Sequence, residues 1–390
     1  MNADVAAAPE ADVWADVVGQ PDAVRVLRRA ATDPASMTHA WLITGPPGSG
    51  RSVAARAFAA ALVGGEGDDA ASLATRRRVL AGNHPDVRVV ATDKTIITVA
   101  EVRDLVTLAQ RTPGEGEWRV IVVEDADRIV ERSANALLKS IEEPPARTVW
   151  VLCAPSERDV ITTIRSRCRH LSLRIPPAQA VADLLVRRHG IEPEAALTAA
   201  RAAQSHIGLA TSLALNPPAR ERRDRVLEIA ARVRGVGDAV LGAAELVEVA
   251  TAQASASQTE RDALERAELM RALGADAESG TLPPAVRSQI RQLEEDQKRR
   301  AKRAVVDGLD RAMTDLLSFY RDVLALQVSA DVPVVNAAQA GDVRAVAEAS
   351  SPEQSLRRMD AIATARTRLA GNVAPLLAVE AMMVALRPQG

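Results

Sequence analysis

Residues 38–52 read THAWLITGPPGSGRS, a short apolar run that breaks into a glycine- and proline-rich turn and resumes as a helix at Ser52. Within it Gly45, Pro46, Pro47, Gly48, Ser49, Gly50, Arg51 and Ser52 fit the phosphate-binding pattern GxxxxGK[ST] at every fixed position except the lysine, where Arg51 stands. Glycines in such a loop let successive N–H groups turn toward phosphate oxygens, and the helix that follows adds partial positive charge at its N-terminus. The basic side chain reaches the outer phosphates and the Ser52 hydroxyl is of the type that holds magnesium. Arg51 keeps the charge, but a planar guanidinium is not a compact ammonium. The expectation is therefore a pocket that takes ATP or ADP with magnesium weakly, or holds it without hydrolysis.

Working outward, strands and helices alternate. Pro21 to Ala31 has apolar residues at helical spacing, Ala40 to Thr44 is strand-like, and Ser52 to Leu62 is helical. Val87 to Val90, Arg119 to Val123 and Val149 to Cys153 read as buried strands, with helices over Val99 to Gln110 and Ala134 to Glu142. Thr98 and Glu101 form a capping-box pattern at the start of the first of these helices. This rhythm implies an α/β domain with a parallel sheet covered on both faces. The strand of VIVVEDAD, Val120 to Asp127, ends in Glu124 and Asp125 about 70 residues after the loop, where phosphate-loop ATPases hold magnesium and orient water.

The rest is helical. Pro176-Pro177 ends the α/β part and Pro217-Pro218 closes a small helical block; beyond Ala219 no strand is expected. A loop is expected over 274–284, and Pro284 opens a long helix through Gln327. Three domains follow: 1–176, a phosphate-loop domain; 177–218, a small helical lid; and 219–390, an all-helical collar. A hydrophobic content of 47% with only 2% aromatics rests the cores on Leu, Val, Ile and Ala. A net charge of −2 argues against coating nucleic acid by bulk electrostatics. The first residues lack a basic start followed by an apolar core, and no run of about 18 apolar residues appears, so a soluble intracellular chain is expected. Cys153 and Cys168 give neither a disulfide framework nor a zinc site. The basic run Lys298 to Arg303 follows Glu294, Glu295 and Asp296, so i,i+4 pairing on a solvated helix face is expected to account for it, with a DNA-binding patch as the alternative reading.

Several blocks in one order carry a resemblance. THAWLITGPPGSGRS, ANALLKSIEEPP (Ala134 to Pro145), IRSRC (Ile164 to Cys168) and VVGQPDAV (Val17 to Val24) are similar to the clamp-loader branch of the AAA+ ATPases. DLLSFYRDVLALQ (Asp315 to Gln327), RLAGNVAPLLAVEAMM (Arg368 to Met383) and NHPD (Asn83 to Asp86) extend the likeness over almost the whole chain. The resemblance implies a cytoplasmic, nucleoid-associated pentamer of one delta, three tau or gamma motors and a stator, this chain taking the stator's place. That assembly opens a sliding clamp and places it on primed DNA. By the same resemblance VVGQPDAV lies against adenine, and Arg167 is an arginine finger inserted in trans into a neighbour's ATP site, an element worth about 10³–10⁵ in rate in phosphoryl transfer.

Departures from the family accompany the likeness. Motor subunits read Asp then Glu where this chain has Glu124 then Asp125, and misplacing a base by about 1 Å can cost ~100-fold. The stretch Leu62 to His84, where relatives often carry a four-cysteine zinc module, has no cysteine, and His84 alone cannot hold zinc. The lid position of a nucleotide-sensing arginine falls at Leu209 or Ala210, and Ser156 is the candidate polar sensor. An active tau- or gamma-type motor and a branch-migration DNA motor are the alternatives; both require the ATPase residues that are altered here.

Overall fold

The computed structural model describes residues 12–65, 67, 69–92, 96–272 and 284–388. The expectations for residues 1–11 and for the loop over 273–283 lie outside the described residues. The chain divides into two units, Met1–Leu215 and Asn216–Gly390.

The first unit contains α1 (Pro21–Thr32), β1 (Ala40–Thr44), α2 (Arg51–Gly64), α3 (Ala70–Leu80), β2 (Val87–Val90), α4 (Val99–Ala109), β3 (Arg119–Val123), α5 (Glu131–Glu142), β4 (Thr148–Ala154), α6 (Thr162–Arg165), β5 (Arg169–Ser172), α7 (Ala178–His189), α8 (Pro193–Ala202) and α9 (Ile207–Leu215). The strands form one parallel sheet in the order β2-β3-β4-β1-β5. Side chains alternate across it, as the two-residue period of a strand requires. Trp41, Ile43, Val120, Val122, Val149, Val151 and Cys153 pack with α1 and α2, whereas Leu42, Ile121, Val123, Trp150 and Leu152 pack with α4 and α5. Alanines 54, 55, 57 and 59–61 let α2 lie close to the sheet, and Phe58 meets Trp41 edge to face at 5.3 Å. The capping box at α4 forms: the Glu101 N–H donates to Thr98 Oγ1 at 3.3 Å and the Thr98 N–H to Glu101 Oε2 at 2.8 Å.

NHPD is a structural staple. The Asp86 carboxylate accepts the N–H groups of Gly114, Glu115 and Gly116 at 2.7–2.9 Å and pairs with Arg119 at 2.9 Å. Burial pushes its pKa up, but the three N–H donors and Arg119 outweigh burial and hold it below the ordinary value.

The second unit is helical: α10 (Pro217–Arg232), α11 (Val236–Ala272), α12 (Pro284–Gln327), α13 (Ala340–Glu348), α14 (Pro352–Ala370) and α15 (Pro375–Leu386). Pro217 sits in the first turn of α10, where its missing N–H costs nothing, so this proline pair opens a helix where sequence reading expected it to close a block. Leu316, Phe319, Tyr320 and Val323 of α12 join Val379, Met382 and Met383 of α15 in one core. Beside it lies a buried polar network. Arg223 Nε donates to Asp315 at 3.0 Å, and the Asn336 N–H and Nδ2 both donate to Asp322 at 2.8 Å. The basic run of α12 pairs only in part along its own helix. Arg299 meets Asp296 and Arg303 meets Asp307, but Arg300 crosses to Asp262 and Glu265 of α11. Among the described residues Lys298 and Lys302 have no ion pair, so local pairing accounts for only part of the run. No helix among the described residues is long and apolar enough to cross a membrane.

Candidate functional site

The loop from Gly45 to Gly50 leaves the carboxyl end of β1, the central-edge position between β4 and β5, and turns into α2. Gly48 and Gly50 have φ of 84° and 87°, left-handed values that suit glycine and turn the backbone into a cradle. Pro46 and Pro47 contribute no N–H, and that of Ser49 is spent on the Pro46 carbonyl at 3.1 Å. The remaining donors belong to Gly48, Gly50 and the first turn of α2. The buried Ser49 hydroxyl has no hydrogen-bond partner.

Two neighbours fix this loop. Gln20, 5% exposed, donates from Nε2 to the Ser49 carbonyl at 3.2 Å and the Arg174 carbonyl at 2.5 Å, and accepts the Arg174 N–H at 3.1 Å. The VVGQPDAV block thus ties the loop to the chain leading into α7. His206, just before α9, lies against Gly48 so closely that a Cβ there would stand 2.6 Å from its Cα. Ala210, one of the two positions expected to replace a sensing arginine, is buried, and the Leu209 N–H donates to His206 Nδ1 at 3.2 Å.

The charged groups face one another. The Arg51 guanidinium folds back onto the carbonyl of Gly45, the first residue of the loop. Glu124 is gripped by Arg56 of α2, with Nη2 at 2.8 Å and Nε at 2.9 Å from Oε1. Asp125 accepts the Thr92 N–H at 2.9 Å and lies 3.4 Å from Arg128. The backbone cradle fits a phosphate. Both Arg56 contacts fall on Oε1 of Glu124, so a magnesium ion at this strand end would share that carboxylate with a guanidinium. Cys153 lies under α2 with its thiol pushed up to about 12 by burial, so it behaves as a small apolar residue.

The other expected positions stand elsewhere. Ser156 caps the turn after β4, accepting the Arg158 N–H at 3.2 Å. Arg167 follows α6 at the surface, paired with Glu142 at the end of α5 and donating to the Thr163 carbonyl at 2.8 Å. Cys168 beside it is half-buried, and burial raises its thiol to about 12. Sequence reading brought Gly45 to Ser52, Glu124 and Asp125 to one end of the sheet, and they do meet there. It missed the roles of Arg56, Gln20 and His206. Arg56 carried one signal, a second arginine on the helix that opens with Arg51, but its partner comes from a strand end remote in sequence.

Residues 19–177 match the family described as DNA polymerase III, delta subunit. The delta' subunit of DNA polymerase III from Pseudomonas aeruginosa is 33% identical over 199 residues, covering 50% of this chain and 61% of that one. For the Bacillus subtilis delta' subunit the figures are 29% over 195 residues, with 50% and 59% covered. The gamma/tau subunit of Mycobacterium bovis is 33% identical over 178 residues, 45% of this chain and 31% of that one. The chain thus spans about three fifths of the length of these delta' relatives. Its likeness is to subunits of DNA polymerase III, with the delta' subunit recurring among them.

Proposed function

We propose, starting from this likeness, that the chain is the delta-prime stator of a DNA polymerase III clamp loader. In this reading it assembles with delta and with tau or gamma motors, and the complex sets a sliding clamp on primed DNA in the cytoplasm. The observation that carries the reading is the Arg51 guanidinium turned onto the Gly45 carbonyl. A phosphate-loop site whose own cation is held on its first residue, and whose Glu124 is tied to Arg56, is suited to hold shape rather than to hydrolyse. Any ATP or ADP bound with magnesium would lie on the N–H groups of Gly48, Gly50 and the first turn of α2, with Ser52 toward the metal. The nucleotide would supply no turnover in this chain.

Arg167 acts outward. Its guanidinium is at the surface and its present anion, Glu142, is half-exposed. The planar fork that grips a carboxylate also grips a phosphate, so the finger exchanges Glu142 for the γ-phosphate of a neighbouring motor. The competing reading, a motor of the gamma/tau type, is favoured by the 33% identity to the mycobacterial subunit. Arg51 and the order Glu124-Asp125 weigh against it.

Steady-state ATP hydrolysis separates the two. The isolated chain should turn over far below the 1–100 s⁻¹ typical of kinases, roughly the range of working phosphoryl transfer. In a loader reconstituted with clamp and primed DNA, Arg167→Ala should lower turnover in part, one motor site having lost its finger, while Arg51→Ala changes it little. Abolition by Arg51→Ala with no effect of Arg167→Ala would make the chain a motor.

A further inference from the structure

The long hairpin of the second unit carries charge that its fold does not use. The core of that unit takes in α11 as far as Ala250 and α12 from Val305 onward, so the ends of both helices extend past it as a two-helix arm. Val286 and Ile290 are buried, and cross-helix contacts among the described residues hold the pair: Arg266 to Glu294 at 2.8 Å, Arg300 to Asp262 at 3.0 Å and to Glu265, and Gln297 to the Asp262 carbonyl at 3.1 Å. These contacts and the Arg299–Asp296 pair occupy Glu294 and Asp296, while Glu295 stands beside Arg299. Over residues 284–304 seven basic residues face three acidic ones, in a chain of net charge −2.

Four of the seven are left over. Arg287, Arg291, Lys298 and Lys302 are exposed, and none has an ion pair or hydrogen bond among the described residues. Their spacing of four, seven and four residues keeps them within about 60° of one face and spreads them over about 22 Å of helix. Two of the four lysines in the whole chain are in this row. Lysine is a point charge without the fork that favours a fixed carboxylate partner, and it suits contacts that must slide.

We infer that this row is a contact for the backbone of duplex DNA. A rigid row of cations about 22 Å long can span a groove and meet phosphates of both strands, which together carry one charge per roughly 1.7 Å of duplex axis. Residues 255–304 contain no Phe, Tyr or Trp, so the arm has no platform on which single-stranded bases could stack. An acidic protein segment is the competing occupant, but a flexible peptide gains nothing from so long and regular a row. The contact reads no sequence, since its cations meet phosphates and not base edges. It uses only the charge of the arm, so its failure would leave the subunit assignment standing, and the reverse also holds.

The test is fluorescence anisotropy of the full chain with a labelled duplex of mixed sequence, titrated across salt. Four phosphate contacts give a slope of log K against log salt of about −3 to −4, or about 100-fold weaker binding at 200 mM than at 50 mM. Each single change, Arg287→Gln, Arg291→Gln, Lys298→Gln or Lys302→Gln, should reduce the slope by about 1 whatever the sequence. The quadruple variant should bind at least tenfold more weakly at about 50 mM salt, with its melting curve unchanged because the positions are exposed. An unchanged affinity and slope in the quadruple variant overturns the inference. So does tighter binding of single strands, or of polyglutamate at matched charge, the second assigning the row to an acidic protein.

Discussion

At the scale of single residues, the chain uses ionisable groups as staples as much as chemistry. Asp86 is the strongest instance. Its carboxylate fixes the loop at Gly114–Gly116 and neutralises Arg119, whose side chain is 7% exposed. Asp86→Ala leaves that guanidinium buried on backbone carbonyls with no counter-charge, and should destabilise the first unit by about 3–5 kcal/mol, read by denaturant unfolding. The pH dependence has a definite sign. Because the folded pKa lies below the ordinary aspartate value of 3.8, the contribution is present above that value and is lost as pH falls through the folded one. Wild type should therefore lose stability more steeply than Asp86→Ala on acidification below about pH 4. An equal slope in both would place the staple elsewhere. His84 belongs to the same knot: its Nδ1 accepts the Asp86 N–H at 3.1 Å, and burial lowers its pKa.

At the scale of elements, the capping box of α4 is a local device whose contribution can be isolated. Thr98→Ala removes the acceptor for the Glu101 N–H and should cost about 1 kcal/mol in thermal or chemical unfolding, with Thr98→Ser recovering most of it. No recovery by serine would mean that the methyl group, and not the hydroxyl, is what matters. The same elements mark what sequence alone could reveal. β1, β3 and β4 are buried at every position, so their apolar runs announced them. β5 reads Arg169-His170-Leu171-Ser172, mostly exposed on the sheet edge, and offered no apolar signal. α3 has little amphipathic pattern and is set by Asp69, whose side chain accepts the N–H groups of Ala71 and Ser72 at 3.0 Å. The candidate site followed the same division. The loop and the carboxylates were legible because their types and spacing are local to one strand–helix junction. The grip of Arg56 on Glu124, 68 positions apart, and the approach of His206 to Gly48 are tertiary and left no local trace.

At the scale of the whole molecule, the two units close separate apolar cores, and the aromatic residues are divided between them. All four tryptophans, Trp14, Trp41, Trp118 and Trp150, belong to the first unit, whereas Tyr320 is in the second. Tryptophan fluorescence therefore reports unfolding of the first unit alone, and far-UV circular dichroism reports both. The lever in the second unit is Arg223, 3.0 Å from the buried Asp315. Burial pushes Asp315 up to about 6 even against the opposing pull of Arg223. A carboxyl raised in the folded state contributes stability that is full below its unfolded value and is lost as pH rises through the folded one. Arg223→Ala removes both the charge and the hydrogen bond by which Arg223 favours the ionised carboxyl, leaving Arg311 as the weaker opposing cation, and raises the carboxyl further. The variant should lose about 3–5 kcal/mol in the second unit well above the pH at which its Asp315 protonates, and its deficit should shrink as pH falls toward about 6 and level off below it, where Asp315 carries its proton in both forms. The tryptophan transition should move by no more than about 0.5 kcal/mol where the two units unfold separately, while the dichroism transition broadens or splits. A tryptophan transition that follows the dichroism by the full amount would show instead that the chain unfolds as a single cooperative body.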